Sequence, residues 1–267
     1  MRFKFLKYFL ALTVPLLAYF SFNGTGIITY APMIEAFLLI PILELFFKPN
    51  SNNLSNAEEE MAKEDKSYDI VLYLLVPVIY FLLWEFLISM RETLTFSDRL
   101  GRILSMGLVC GGYGINVAHE LGHRNNKFEQ FLSKTLLLSS LYMHFFIEHN
   151  RGHHKRVSTK EDPSSARYGE NIFSFWIRSV FTGYISAWNI EFSRLKRLKK
   201  FKFSLENEML RFQLIQVLFV SSIYFVFGTQ ITIYFLFAAV MGFLLLETVN
   251  YIEHYGLQRK ININGKY

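Results

Sequence analysis

The chain alternates long apolar stretches with short polar connections. A helix needs about 20 apolar residues to cross the hydrocarbon core of a membrane. Stretches of roughly this length recur along the chain and predict an all-α integral membrane protein with a six-helix transmembrane bundle. The predicted spans are Tyr8–Phe22, Ile27–Phe47, Ile70–Met90, Ile103–Ala118, Phe212–Phe227 and Ile231–Leu246.

Polar connections set the predicted topology. Asn23–Gly26 and Gly228–Gln230 are short and contain glycine, so each predicts a turn between two antiparallel helices. Lys48–Tyr68 is polar and acidic and is predicted to be a solvated loop. Because no internal repeat interrupts this pattern, residues 1–267 are predicted to form a single membrane domain.

A seventh apolar run, Leu132–Ile147, needs a different interpretation. Histidines precede it at positions 119 and 123 and follow it from position 149 onward. If the run crossed the membrane, about 30 Å of hydrocarbon would separate the two histidine groups. We therefore predict that the run is re-entrant or packed against the bundle, as membrane-depth segments buried in protein can be.

Composition and charge agree with a membrane location. Hydrophobic residues make up 52% of the chain, and Cys110 is its single cysteine, so an internal disulfide is excluded. The net charge of +6 is concentrated in Lys155–Arg211, which holds twelve lysines and arginines. Nucleic-acid binding is one interpretation of this stretch, but contact with lipid headgroups fits a membrane protein better. The basic N-terminus is predicted to be cytoplasmic. Six spans then place the basic stretch and every histidine cluster on the cytoplasmic side as well.

The first histidine group is His119-Glu120-Leu121-Gly122-His123. Residues four apart share one face of a helix, so both imidazoles can reach one cation. By itself this is the HExxH motif of zinc proteases, in which the glutamate activates a water molecule. A membrane zinc metalloprotease therefore stays open as an alternative, and a non-enzymatic metal-binding protein is a third hypothesis.

The second group combines the four-residue spacing with adjacent histidines. His149 and His153 repeat the spacing, whereas His153 and His154 are neighbours that must point in different directions. Adjacent ligands suit two metal ions better than one. His254 adds a sixth candidate on the same predicted side, and His144 is interpreted as a buried residue. Imidazole binds iron, zinc, copper and nickel, so the ligand type does not name the metal.

Carboxylates accompany the histidines. Glu120, Glu148 and Glu253 each adjoin a candidate ligand, and each is either a partner that orients an imidazole or an ordinary surface charge. Asp162 either braces a ligand or caps a turn.

Three segments together resemble the membrane-bound alkane monooxygenases, part of the wider desaturase and hydroxylase superfamily. These segments are His119–Arg124, Glu148–Arg167 and Leu245–Leu257, and the last contains a His-Tyr-Gly element that separates alkane hydroxylases from ordinary desaturases. The similarity extends through nearly the whole chain, including the order of its apolar stretches.

The resemblance implies a multi-pass protein of the cell inner membrane with histidine boxes at its cytoplasmic face. It implies two non-haem irons that use O₂ to hydroxylate the terminal methyl group of a medium-chain n-alkane. Rubredoxin, with its NADH-dependent reductase, is the implied electron donor; alkane and membrane lipid are the other expected partners, and nucleic acid is not expected. A related enzyme acting on another hydrophobic substrate is the alternative within the superfamily. The implied iron ligands are His119, His123, His149, His153, His154 and His254.

Members of the resembled family carry a further histidine box beyond the His-Tyr-Gly element. In this chain Lys260 and Ile261 follow that element where histidines would be needed, and the last residue is Tyr267. We therefore expect a C-terminally incomplete hydroxylase domain that is inactive by itself.

Overall fold

The computed structural model describes residues 9–47 and 66–260. Within these ranges the regular structure is helical and includes no β-strand. The all-α prediction is therefore confirmed for the described residues. The chain forms two compact units, Met1–Val109 and Cys110–Tyr267, and the prediction of a single domain remains a prediction.

The first unit begins with a helical hairpin. Helix α1 (Thr13–Asn23) is followed by α2 (Gly26–Glu44), which contains a π-helical turn at Glu35–Leu39. The Ser21 hydroxyl donates a hydrogen bond to the Thr29 carbonyl oxygen at 2.6 Å. This contact across the connection confirms the first predicted reversal of the chain.

A buried arginine joins the turns of this unit. Helices α3 (Ser67–Ser89) and α4 (Phe96–Leu108) complete it, and Arg102 of α4 is 1% exposed. Its guanidinium donates to the carbonyl oxygens of Ser89 at 2.8 Å and Gly24 at 2.9 Å. Because an unpaired buried charge is costly, these bonds fix both turns against α4.

The second unit contains all six candidate ligands. A π-helical turn at Val109–Ile115 leads into it, and another at His149–His153 lies between two of its short helices. The helices are α5 (Asn116–Gly122), α6 (Lys127–Ser139), α7 (Phe145–Glu148), α8 (His154–Arg156), α9 (Ile172–Arg197) and α10 (Glu208–His254).

The apolar run Leu132–Ile147 is divided between two helices. Helix α6 ends at Ser139, and Leu141 then adopts a left-handed backbone conformation with φ 53°. A right-handed helix cannot continue through a residue in that conformation. The Ser133 hydroxyl instead bonds the Ala118 carbonyl oxygen at 2.6 Å, which holds α6 against α5. The prediction that this run is not one spanning helix is confirmed.

Helix α10 reverses direction at Gly228. This residue has φ 81° and ψ 175°, a conformation that interrupts the helix and favours glycine. A straight helix would separate Phe219 from Phe235 by about 24 Å, yet their ring centroids lie 5.7 Å apart. The two arms, 208–227 and 229–254, therefore form the second predicted hairpin.

Three helical segments of the described chain are long and apolar enough to cross a membrane. They are Gly26–Glu44, Asp69–Ser89 and Glu208–His254, and the last includes both arms of the hairpin. Phe9–Asn23 is apolar but shorter, and the predicted span Ile103–Ala118 is divided between α4, a π-helical turn and α5. These segments support a multi-pass membrane protein, while the six-span count remains a prediction.

Helix α9 is the major element that the apolar pattern did not predict. Long apolar runs do not reveal it, because four of its six buried side chains are small or polar, whereas several bulky apolar side chains are exposed. The buried positions recur every fourth residue. They are Phe175, Ser179, Gly183, Ala187, Glu191 and Leu195.

Gly111 and Gly242 mark a close backbone approach within the second unit. A Cβ atom at Gly111 would overlap the backbone of Gly242, which cannot rotate away. We expect Gly111→Ala to destabilise the protein by about 1–3 kcal/mol, measured by thermal unfolding in detergent. Gly183→Ala is the matched control, because its Cβ would lie 3.9 Å from Pro163 and the helix would gain a better helix former. Equal losses of stability in the two variants would contradict the close approach.

The α10 hairpin generates a prediction about topology. Each arm is long enough to cross a membrane, so residue 229 should lie on the opposite side from His254. In a Cys110→Ala background, cysteines at Lys127 and Lys160 should react with an impermeant thiol reagent from one side. A cysteine at Thr229 should react only from the other side. Labelling of Lys127→Cys and Lys160→Cys from opposite sides would refute a shared histidine site.

Candidate metal centre

Four imidazole rings converge where α5 meets the π-helical turn after α7. One ring nitrogen from each of His119, His123, His149 and His154 lies within 4.8 Å of the others. The Nε2 atoms of His149 and His154 are 2.9 Å apart, and the Nε2 atom of His123 is 3.3 Å from both. Nitrogens this close can share a proton or bind a common cation. We name these residues the four-imidazole group.

The π-helical turn selects the histidines that enter this group. In an α-helix, residues four apart share a face, which predicts that His149 would pair with His153. The wider i→i+5 pattern of a π-helix instead brings His149 together with His154. His153 is directed to a neighbouring position, and its ring centroid lies 5.2 Å from that of His149.

Burial lowers the pKa of three imidazoles of the group. Burial, reinforced by the neighbouring imidazoles, lowers the pKa of His149 to about 2 and that of His119 to about 4. The same causes lower the pKa of His154. Metals bind the neutral imidazole, so these rings are available as ligands at neutral pH without the loss of a proton.

His153 is oriented by Asp162. Its Nδ1 atom lies 2.9 Å and 3.1 Å from the two carboxylate oxygens, so Nδ1 donates and Nε2 remains available to a metal. Burial alone would raise the pKa of Asp162, but hydrogen bonds from His153 and Ser165 lower it. The Ser164 backbone N–H also donates to this carboxylate, at 3.2 Å. Asp162 therefore both braces a histidine and caps a turn.

His254 lies beside His153 at the end of α10. Its Nδ1 atom donates to the carbonyl oxygen of Asn250 at 2.9 Å, which again leaves Nε2 available. The ring centroids of His153 and His254 are 5.0 Å apart. The six predicted ligands thus form one cluster, with the four-imidazole group on one side and this pair on the other.

The loop between α8 and α9 is fastened to the end of α10. The Gly256 backbone N–H donates to the Ala166 carbonyl oxygen at 3.1 Å, and the Tyr251 hydroxyl donates to the Glu170 carbonyl oxygen at 2.7 Å. The Tyr255 hydroxyl accepts from another backbone N–H of the same loop at 3.0 Å. Gly256 has φ 71°, where glycine is favoured. The His-Tyr-Gly element therefore positions both its own histidine and the loop that orients His153.

The carboxylates next to the histidines differ in their surroundings. Burial raises the pKa of Glu148 to about 7 although Arg156 bonds it at 2.8 Å. Glu120 is 59% exposed and pairs with Arg124 at 3.5 Å, and Glu253 is exposed. Glu148 is therefore a buried carboxylate that is bonded by Arg156 and Ser186, whereas the other two are surface charges in this structure.

The helical fold and the histidine cluster place this chain in the class of helical membrane proteins with a histidine-rich metal-binding site. Residues 99–265 match the fatty acid desaturase family, and the chain belongs to this family. It is 41% identical to alkane 1-monooxygenase 2 of Pseudomonas aeruginosa, over 86% of this chain and 62% of that protein. It is 34% identical to alkane 1-monooxygenase 1 of Alcanivorax borkumensis, over 86% of this chain and 57% of that protein. It is also 34% identical to alkane 1-monooxygenase 2 of the same organism, over 97% of this chain and 70% of that protein. The chain thus spans less than two thirds of the first two relatives.

The Asp162 carboxylate generates a test of the centre. Asp162→Asn keeps an oxygen near His153 but removes the charge that favours the donating Nδ1 tautomer. We expect the affinity for Fe(II) to fall about 10–100-fold, measured by metal titration of the purified protein. Glu161→Gln removes the preceding, exposed carboxylate and should leave the affinity unchanged. Equal weakening in both variants would show that only overall charge matters.

Proposed function

We propose that this protein is a non-haem di-iron monooxygenase that hydroxylates the terminal methyl group of medium-chain n-alkanes with O₂. The observation that carries the proposal is the convergence of the histidines in a member of the fatty acid desaturase family. The names of the relatives, alkane 1-monooxygenases, support the choice of reaction.

The histidines would hold two irons. His119, His123, His149 and His154 would bind one, and His153 with His254 would contribute to the other. Imidazole nitrogens suit iron but also zinc, copper and nickel, so the family relationship supports iron. Bound iron would supply the electron transfer to O₂ that oxygen insertion requires.

The chain's own residues would orient the site and shape it for an apolar substrate. Asp162 holds the imidazole of His153, and the Asn250 carbonyl holds that of His254, so the Nε2 atom of each ring stays available to a metal. The Phe145 ring stacks on His149 with centroids 4.6 Å apart, which provides an apolar surface beside the proposed iron. An alkane offers no polar group to bind, and each methylene contributes only about 0.8 kcal/mol, so selectivity for chain length should be gradual.

Electrons would come from rubredoxin, which its NADH-dependent reductase would reduce. The basic stretch Lys155–Arg211 follows the second histidine group directly, and its charge complements an acidic carrier. This arrangement supports a multi-pass protein of the inner membrane whose active site faces the cytoplasm. Thiol labelling at Lys127 and Lys160 would identify that side.

The test measures iron and alkane hydroxylation in membranes that contain the protein. Because the chain spans less than two thirds of its first relatives, the assay uses residues 1–267 joined to the C-terminal segment of alkane 1-monooxygenase 2 of Pseudomonas aeruginosa. With rubredoxin, its reductase and NADH supplied, we expect this protein, but not residues 1–267 by themselves, to convert octane to 1-octanol. His123→Ala and His254→Ala should each lose iron and at least about 100-fold of the turnover. His144→Gln is the control, because His144 lies outside the cluster and packs against Tyr142, with ring centroids 4.3 Å apart. This variant should retain iron.

The rival functions give different results in the same assay. One zinc per chain, with peptide cleavage that is lost in Glu120→Gln, would overturn the proposal in favour of a metalloprotease. Iron with no turnover of any n-alkane, but with oxidation of another hydrophobic compound, would reject the proposed substrate and retain the reaction class.

A further inference from the structure

A cationic cavity of about 760 Å³ lies between the segment that follows the π-helical turn and the C-terminal half of α9. Eight lysine and arginine side chains line this cavity, against two carboxylates. One of the carboxylates, Asp162, is already bonded to His153. The cavity therefore carries a large excess of positive charge beside the histidine cluster.

Half of these cations have no counter-charge in the described part of the chain. Arg151, Arg156 and Arg178 each bond a glutamate, and Arg167 lies beside Glu170, whose carboxylate accepts its backbone N–H at 3.0 Å. For the other four, the ion pairs and hydrogen bonds of the described residues provide no carboxylate. These four are Lys155, Lys160, Lys196 and Arg197. Because like charges around one cavity repel one another, an anion that enters it is stabilised.

The exposed side of α9 continues from this cavity as an apolar stripe. Phe173, Ile177, Phe181 and Ile185 recur every fourth residue, and each is more than half exposed. Ile185 also lines the cavity, as do the next exposed residues of the same series, Asn189, Ser193 and Arg197. We name the four apolar residues the outer stripe. A single ridge of α9 thus runs from apolar to cationic.

We propose that the cavity and the outer stripe together bind one anionic phospholipid of the surrounding membrane. The headgroup phosphate enters the cavity, and an acyl chain lies along the outer stripe. Helices that combine exposed phenylalanine and isoleucine with lysine and arginine are typical of membrane interfaces. Each basic residue near an anionic headgroup adds to the attraction.

Two other occupants explain only part of the site. A soluble phosphate compound would account for the four cations that lack a carboxylate but not for the outer stripe. An acidic protein would account for the charge, but four bulky apolar side chains at one edge suit hydrocarbon better than an acidic surface. The continuity through Ile185 favours a ligand with a charged end and an apolar end.

The experiment measures lipid binding to the purified protein by native mass spectrometry in a neutral detergent. Phosphatidylglycerol should bind about tenfold more tightly than phosphatidylcholine. The double variant Lys160→Gln/Arg197→Gln should lose about tenfold of the affinity for phosphatidylglycerol. Lys199→Gln/Lys202→Gln is the matched control: it removes two cations that do not line the cavity and should change the affinity less than about twofold.

A second pair of variants separates a lipid from a soluble anion. Phe181→Ser in the outer stripe should weaken phosphatidylglycerol binding but not the binding of inorganic phosphate. Phe201→Ser, at an exposed phenylalanine outside α9, should affect neither. Equal losses in the two double variants, or inorganic phosphate binding as tightly as phosphatidylglycerol with no effect of Phe181→Ser, would overturn the proposal. None of these measurements involves iron, so the result is independent of the proposed catalytic function.

Discussion

The histidine cluster depends on one constraint: the chain that leaves His123 must return to the same place by His149. A continuous helix of the intervening apolar residues would be about 24 Å long and would carry the two histidine groups apart. The left-handed conformation of Leu141 prevents that helix, and the bond from Ser133 holds α6 against α5. An apolar segment is thus used to bring polar ligands together.

Once the ligands are brought together, their nitrogens must be uncharged and correctly aimed. Burial contributes to the first for His119 and His149, since desolvation disfavours the imidazolium form and lowers their pKa. Hydrogen bonds achieve the second for His153 and His254, where a carboxylate and a backbone carbonyl occupy Nδ1.

The two hairpins could be predicted because a glycine in a short polar connection between apolar stretches indicates a turn. Gly228 has the positive φ that favours glycine. Five of the histidines could be found from their spacing, and His254 from its predicted side of the membrane and the family resemblance; the structure brings all six together. The pairing of His149 with His154 could not be predicted, because it requires a local change from the α-helical to the π-helical period. The role of Asp162 could not be decided from the sequence, because the conformation of the loop between Asp162 and His153 brings the two side chains together. Helix α9 was not predicted because small residues occupy several of its buried positions, while phenylalanine and isoleucine occupy exposed ones. In most amphipathic helices the bulky apolar residues are the buried ones.

The bonds between the α8–α9 loop and the end of α10 join parts of the chain that are synthesised at different times. The residues of the four-imidazole group precede α9 and α10 in the chain. The second proposed metal position also needs His254, which follows both arms of α10, and the loop that is bonded to Gly256 and Tyr251. The second proposed position can therefore be completed only after α10 has been synthesised, whereas all four residues of the first are present before α9.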